Sequence, residues 1–141
     1  MSVWSATLYT SATLTVNGNS GYLPWPAPAF DPGIPRLFQP SRAFLRMEPA
    51  NLATDETMAV TLALAFNSDG DGSFDAHVFT TVTSTNVAEN LILPGEDSAG
   101  ILFVATTEAA TAPIPAFWKL TWVLVGTTKS MNFVMYASLE D

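Results

Sequence analysis

The last part of the chain alternates between large apolar and smaller or polar side chains, and this pattern limits the possible folds more than any other. Two alternating runs, residues 118–124 and 131–139, are separated by the polar stretch 126–130. Alternation with a period of two is typical of half-buried β-strands, and a glycine-containing break between two such runs predicts a β-hairpin over residues 115–139. Because an isolated hairpin is marginally stable in water, we expect it to pack on another sheet or on another subunit.

Further strands are predicted along the whole chain. Residues 4–16 alternate in the same way, residues 43–47 form a short run, and residues 58–66 and 74–82 flank a glycine-rich turn and predict a central hairpin. Residues 91–93 and 101–106 are two more short apolar runs. Short strands with frequent turn residues and almost no helix signal predict an all-β fold, an antiparallel β-sandwich or barrel of jelly-roll or β-tulip type.

Composition excludes several classes of function. The 141 residues suit one domain, residues 1–141, and the formal net charge of −8 disfavours binding to nucleic acid. The absence of cysteine removes disulfides and thiolate metal sites. No apolar run approaches the roughly 18 residues of a membrane helix, so no membrane partner is expected. Only 13% of residues are charged, which suggests that part of the surface is covered by something else.

A proline-rich segment follows the first predicted strand. Six of the ten prolines fall within residues 22–40, and proline cannot donate to a β-ladder, so we predict an extended arm over residues 22–42. The arm is too apolar for a disordered linker. Three of the five basic residues lie at positions 36–46, and they are either solvated charges on a loop or a strip that docks on an acidic partner. The residues predicted to contact a partner are Trp25, Phe30, Ile34, Arg36, Leu37, Phe38, Arg42 and Arg46.

Motifs for chemistry are weak. Asp69, Asp71, Ser73 and Asp75 have the spacing of a calcium loop, but Phe74 and Thr80 replace its required glycine and glutamate, so a β-turn explains them better. The single histidine, His77, lies on a predicted strand without a nucleophile motif nearby. We therefore predict no catalytic residues, no metal site and no cofactor, and a protein that is not an enzyme.

The aromatic residues allow two interpretations. Trp118, Trp122, Phe133 and Tyr136 share the alternation of the terminal strands, which favours the core or a subunit contact. Alternatively Trp25, Trp118, Trp122 and Tyr136 form a flat platform for stacking sugar rings.

Three motifs resemble those of small virion proteins of tailed bacteriophages. They are the GNSG stretch ending in LP at residues 18–24, the strand that leads to SDGDGSF at residues 58–74, and the W-x-x-x-G-T-x-x-S-x-x-F pattern within residues 122–134. Within that group the chain is most similar to the capsid decoration, or cement, proteins of thermophilic long-tailed phages.

This resemblance implies a structural function. It implies a homotrimer on the outer capsid surface of the virion, with extended arms that bind the lattice of the major capsid protein. An alternative within a virion is a carbohydrate-binding or receptor-binding β-sandwich. If the arm binds the lattice, deletion of residues 22–40 is expected to leave a folded domain but to weaken lattice binding.

Overall fold

The computed structural model describes residues 3–26, 38–83, 88–93 and 114–140. The described part of the chain is all-β. Its strands are β1 (Val3–Thr10), β2 (Gly18–Asn19), β3 (Leu23–Pro24), β4 (Arg42–Ala50), β5 (Thr57–Ala65), β6 (Phe74–Val78), β7 (Glu89–Leu93), β8 (Phe117–Val125) and β9 (Asn132–Glu140). The predicted strand at residues 101–106 and the arm segment 27–37 lie outside the described residues.

The strands form two antiparallel sheets. Sheet A has four strands in the order β1-β9-β4-β7, and sheet B has five, with β2-β8-β5-β6 in order and β3 also paired to β8. The buried faces of the two sheets share one apolar cluster, so the predicted β-sandwich is confirmed. The predicted central hairpin is also confirmed, because β5 and β6 pair directly.

The predicted terminal hairpin is wrong in its pairing. Both strands exist, but β8 pairs with β2, β3 and β5 in sheet B, whereas β9 pairs with β1 and β4 in sheet A. The connection after Gly126 therefore crosses from one sheet to the other. Two alternating strands can bury their apolar sides as neighbours in one sheet or face to face across a sandwich, and the sequence period is the same in both arrangements.

The crossover between β8 and β9 is fixed by two acidic residues that precede β5. Glu56 is buried and accepts hydrogen bonds from the backbone N–H of Ala53, Ser130 and Met131. Asp55 is exposed and accepts hydrogen bonds from the N–H and the hydroxyl of Thr127, which lower the pKa of its carboxyl group. These contacts hold the crossover against the start of β5.

Bulges change which residues are buried. The first strand ends at Thr10 and does not continue to residue 16, and its register on β9 shifts between Thr7 and Tyr9. The shift turns Tyr9 inward, where its ring lies 6.0 Å from that of Trp122 and 5.8 Å from that of Phe133. The aromatic core thus includes a tyrosine from a position that simple alternation assigns to the polar side.

The strand predicted at residues 43–47 extends over Arg42–Ala50 and includes Pro49. Pro49 pairs with Phe133 of β9, whereas the pairing of β4 with β7 ends at Met47. A proline is tolerated there because β4 has a paired strand on one side only at this position, so the missing N–H need not cost a hydrogen bond between strands.

Candidate partner-binding surface

The central strand β4 places two arginines and an aromatic residue on the outer face of sheet A. Its pattern of exposure turns Ala43, Leu45 and Met47 inward and Arg42, Phe44 and Arg46 outward. Successive side chains of a strand point to opposite faces, so the three outward residues form one row. The side chain of Phe44 is 43% exposed, which is unusual for an aromatic residue in the middle of a sheet.

Neighbouring strands extend this row into a surface. Phe44 stands opposite Ile92 of β7 and Ser138 of β9, and Arg46 stands opposite Asn90 of β7 and Tyr136 of β9. Ile92 is 48% exposed and Tyr136 is 41% exposed. We call the surface made by Phe44, Arg46, Ile92 and Tyr136 the sheet A patch.

A shallow groove runs along the patch. It has a volume of about 410 Å³ and is lined by Phe44, Arg46 and Tyr136 together with the small side chains of Ser5 and Ser138. The serines lie opposite each other on β1 and β9. Their small size leaves a depression beside the large rings, so the patch offers a concave apolar contact with polar groups on its floor.

The charges of the outer face of sheet A balance. Arg46 donates from Nε to Glu48 at 2.8 Å and from Nη1 to Asn90 at 3.1 Å, and Arg42 is paired in register with Glu140. Two arginines therefore offset two glutamates on this face, although the whole chain carries a net charge of −8. A neutral apolar face on an acidic protein repels an acidic partner less than the rest of the surface does.

The structure separates the residues that were predicted to contact a partner. Arg42 and Arg46 lie on the outer face of sheet A, whereas Phe30, Ile34, Arg36 and Leu37 lie outside the described residues. Phe38 is half-buried, and its ring packs on Trp4 with a centroid distance of 4.8 Å. Phe38 therefore contacts the body of the domain.

The expected role of Trp25 needs correction. Its side chain is 2% exposed, and its Nε1 donates a hydrogen bond of 2.8 Å to the carbonyl of Pro115. Its ring centroid lies 6.3 Å from that of Trp118. A side chain that is enclosed in the sandwich cannot contact a partner unless the fold opens, so Trp25 belongs to the core.

The aromatic platform for sugars is not formed. Trp118, Trp122 and Phe133 are buried with Trp25 inside the sandwich, as the core interpretation predicts, whereas Tyr136 lies on the outer face of sheet A. Buried indole rings cannot stack on a sugar. Any sugar site must therefore use other residues.

The aspartate-rich turn between β5 and β6 is organised by Asn67. The Oδ1 of Asn67 accepts hydrogen bonds from the N–H of Asp69 and of Asp71, and its Nδ2 donates to Asp71 at 2.7 Å. Gly70 and Gly72 have φ values of +84° and +68°, which glycine adopts without strain. Among the described residues, no group of three or more acidic or histidine side chains converges to hold a metal ion.

His77 joins the two sheets at one edge of the sandwich. It is buried on β6, and its Nε2 lies 3.1 Å from Oε2 of Glu89 on β7. β6 has a bulge where its pairing passes from Leu62 to Ala63 of β5. This bulge turns both Ala76 and His77 inward. Burial raises the pKa of Glu89, but hydrogen bonds from Thr80 and His77 outweigh it and hold the pKa below its usual range. The Nδ1 of His77 has no hydrogen-bond partner among the described residues, so these residues supply no third group that would complete a catalytic triad with the pair.

Sequence reasoning named Arg46 and Tyr136 of the sheet A patch as contact candidates but missed Phe44 and Ile92. Phe44 has the same spacing of two as Arg42 and Arg46, and this alternation was sufficient to place all three on one face. Ile92 and Tyr136 come from other strands, and only the pairing of β4 with β7 and β9 brings them beside Phe44 and Arg46.

In the part of the chain that the structure describes, no helix has the length and apolarity required to span a bilayer. Comparison with protein-family models, with curated proteins and with solved structures finds no match to this chain.

Proposed function

We propose that the protein is a non-enzymatic structural protein of a phage virion, which binds the outer lattice of the major capsid protein through the sheet A patch. The observation that carries this proposal is the neutral, partly apolar outer face of sheet A on a chain with a net charge of −8. Exposed Phe44, Ile92 and Tyr136 beside Arg46 have the composition of an interface centre, where aromatic residues and arginine are enriched.

The motif resemblance supports a phage capsid as the partner. The motifs lie in strands and turns of the sandwich and do not themselves mark a binding site. The segments 18–24, 58–74 and 122–134 include β2, β3, nearly all of β5, the first residue of β6, the last part of β8 and the start of β9. β2, β3 and β5 all pair with β8 in sheet B. The motifs therefore lie mostly in sheet B, and only the start of β9 belongs to sheet A, so Phe44, Arg46, Ile92 and Tyr136 of the sheet A patch lie outside them.

The proposal includes a trimer that stabilises the shell. Many copies that each bind adjacent capsid subunits would resist expansion of the shell by adding contacts, since multivalent attachment raises the effective affinity of each copy. The low charged fraction of 13% is consistent with surface that is covered in an assembly. Sedimentation equilibrium of the free protein tests the trimer directly.

Binding is tested by co-sedimentation of the purified protein with phage capsids that lack it. We expect saturable binding of the wild type, and loss of binding for Arg46→Glu and for the double variant Phe44→Ser, Tyr136→Ser. Val123→Ser is the matched control, because Val123 is 46% exposed on the outer face of sheet B. All variants are first shown to be folded by urea denaturation.

Two results contradict the proposal. One is a wild-type protein that does not sediment with capsids. The other is a folded patch variant that binds as well as the Val123→Ser control, which would move the contact to another surface.

A further inference from the structure

A second depression lies on the outer face of sheet B, on the side of the sandwich opposite the sheet A patch. It has a volume of about 400 Å³, within the range of about 300–1,000 Å³ that is usual for small-molecule sites. Its lining includes Tyr22, Thr61, Asp75, Lys119 and Thr121. We call it the sheet B depression.

A small residue separates opposite charges across its floor. Ala63 of β5 is paired on one side with Lys119 of β8 and on the other side with Asp75 of β6. Adjacent strands are about 4.8 Å apart, so the backbones that carry the ammonium and the carboxylate are separated by about 10 Å. The ion pairs among the described residues do not include Lys119 or Asp75. The methyl group of Ala63 therefore leaves a gap between an ammonium and a carboxylate that have no ion-pair partner among the described residues.

One wall of the depression is a tyrosine ring that is held in place. Tyr22 precedes β3, and the ammonium of Lys119 lies 4.7 Å from the centre of its ring. The edge of the ring lies against Gly70, where an added Cβ would be 2.7 Å from Cε2 of Tyr22. The turn after β5 thus supports the ring, so little side-chain entropy is lost at Tyr22 when a ligand binds.

We infer that the sheet B depression binds a neutral sugar residue. A sugar hydroxyl both donates and accepts, so one ring can accept from the Lys119 ammonium and donate to the Asp75 carboxylate across Ala63. The hydroxyls of Thr61 and Thr121 add further partners on the same floor. The ring of Tyr22, which lines the depression, offers aromatic surface to the C–H groups of the sugar. Anionic ligands are disfavoured, because Asp75 lies in the site and the chain carries a net charge of −8.

This site is independent of the proposed capsid contact. The depression lies on the outer face of sheet B and the patch on the outer face of sheet A, so both can be occupied at once. The sugar test uses the free protein and no capsid. Failure of one proposal therefore leaves the other unchanged.

The experiment is a titration of the ¹⁵N-labelled full chain with glucose, galactose, mannose and N-acetylglucosamine, followed by ¹H–¹⁵N correlation spectra. We expect saturable shifts of the amides of Thr61, Asp75, Lys119 and Thr121 for at least one sugar. The variants Asp75→Asn and Lys119→Met should each weaken binding at least about tenfold, equivalent to a loss of about 1.4 kcal/mol. Asp69→Asn, in the exposed turn outside the depression, is the control and should bind as the wild type does.

Three outcomes overturn the inference. The first is an absence of saturable shifts with every sugar, and the second is shifts that map to Phe44 and Tyr136 on the other sheet. The third is equal affinity of Asp75→Asn, Lys119→Met and Asp69→Asn. Glycine is titrated as a zwitterionic probe, and shifts in the depression with glycine but with no sugar would also exclude a sugar site.

Discussion

Glu56 accepts two hydrogen bonds from the backbone N–H of Ser130, with distances of 3.1 Å to Oε1 and 3.2 Å to Oε2. Ser130 lies in the crossover that carries the chain from sheet B to sheet A. A single buried carboxylate before β5 thus fixes the position at which β9 begins. The arrangement exists because a buried carboxylate and buried N–H groups each need a partner.

Removal of this carboxylate should destabilise the whole sandwich. Glu56→Ala leaves the N–H groups of Ala53, Ser130 and Met131 without their acceptor, and we expect the free energy of unfolding to fall by about 3 kcal/mol. Urea denaturation at neutral pH measures this change. Asp55→Ala is the control, because Asp55 is exposed, and its smaller effect should distinguish a buried anchor from a surface contact. Equal effects would contradict the assignment.

The glycine at the start of the crossover should not tolerate a side chain. Gly126 has a φ of +135°, and an added Cβ would lie 2.7 Å from the carbonyl oxygen of Asp55. Gly126→Ala should lower the free energy of unfolding by about 2–3 kcal/mol, because backbone strain and a clash add. Gly21→Ala is the control for a positive φ without a clash, since Gly21 has a φ of +72° and nothing within 4 Å. A Gly126→Ala protein as stable as Gly21→Ala would show that the crossover can shift.

The core position of Trp25 changes the expectation for the proline-rich segment. Trp25→Ala should cost about 3–5 kcal/mol, as is usual for removal of a large buried aromatic side chain. Deletion of residues 22–40, which removes Trp25, should therefore unfold the domain. Thermal denaturation checks both changes, with Leu23→Ala as a control at a position that is 37% exposed. A stable, folded deletion variant would show that the core closes without Trp25.

Stability should depend on the ionisation of Glu89. Its pKa in the folded protein is below the ordinary value of 4.5, so the stabilisation is present above that value and is lost as the pH falls through the folded pKa. We expect Glu89→Gln to be less stable than the wild type at pH 7, with a difference that narrows below about pH 4.5.

Urea denaturation at pH 7 and at pH 3.5 measures this narrowing. Glu48→Gln serves as an exposed control that has lost its contact with Arg46. A penalty for Glu89→Gln that is the same at both pH values would assign the loss to packing and not to charge.

The sequence alone determined the class of fold. The alternating runs within 57–65 and 117–140 are strands in the structure, because their apolar and polar side chains suit a half-buried sheet and no other regular element. The turn at residues 67–73 was also predictable, because it depends on residues within the turn. Asn67 accepts two of its backbone hydrogen bonds, and two glycines adopt its positive φ values.

Tertiary structure decided how these strands are used. Period two does not distinguish a hairpin from two strands in facing sheets, and only the pairing of β8 with β5 and of β9 with β4 shows that the chain crosses over after Gly126. Bulges in β1 and β6 then turned Tyr9 and His77 inward, because one extra residue reverses the alternation that follows it. The sheet A patch and the sheet B depression likewise join residues from several strands. Strand pairing depends on contacts between residues that are far apart in the chain, and the spacing of residues along the sequence does not reveal these contacts.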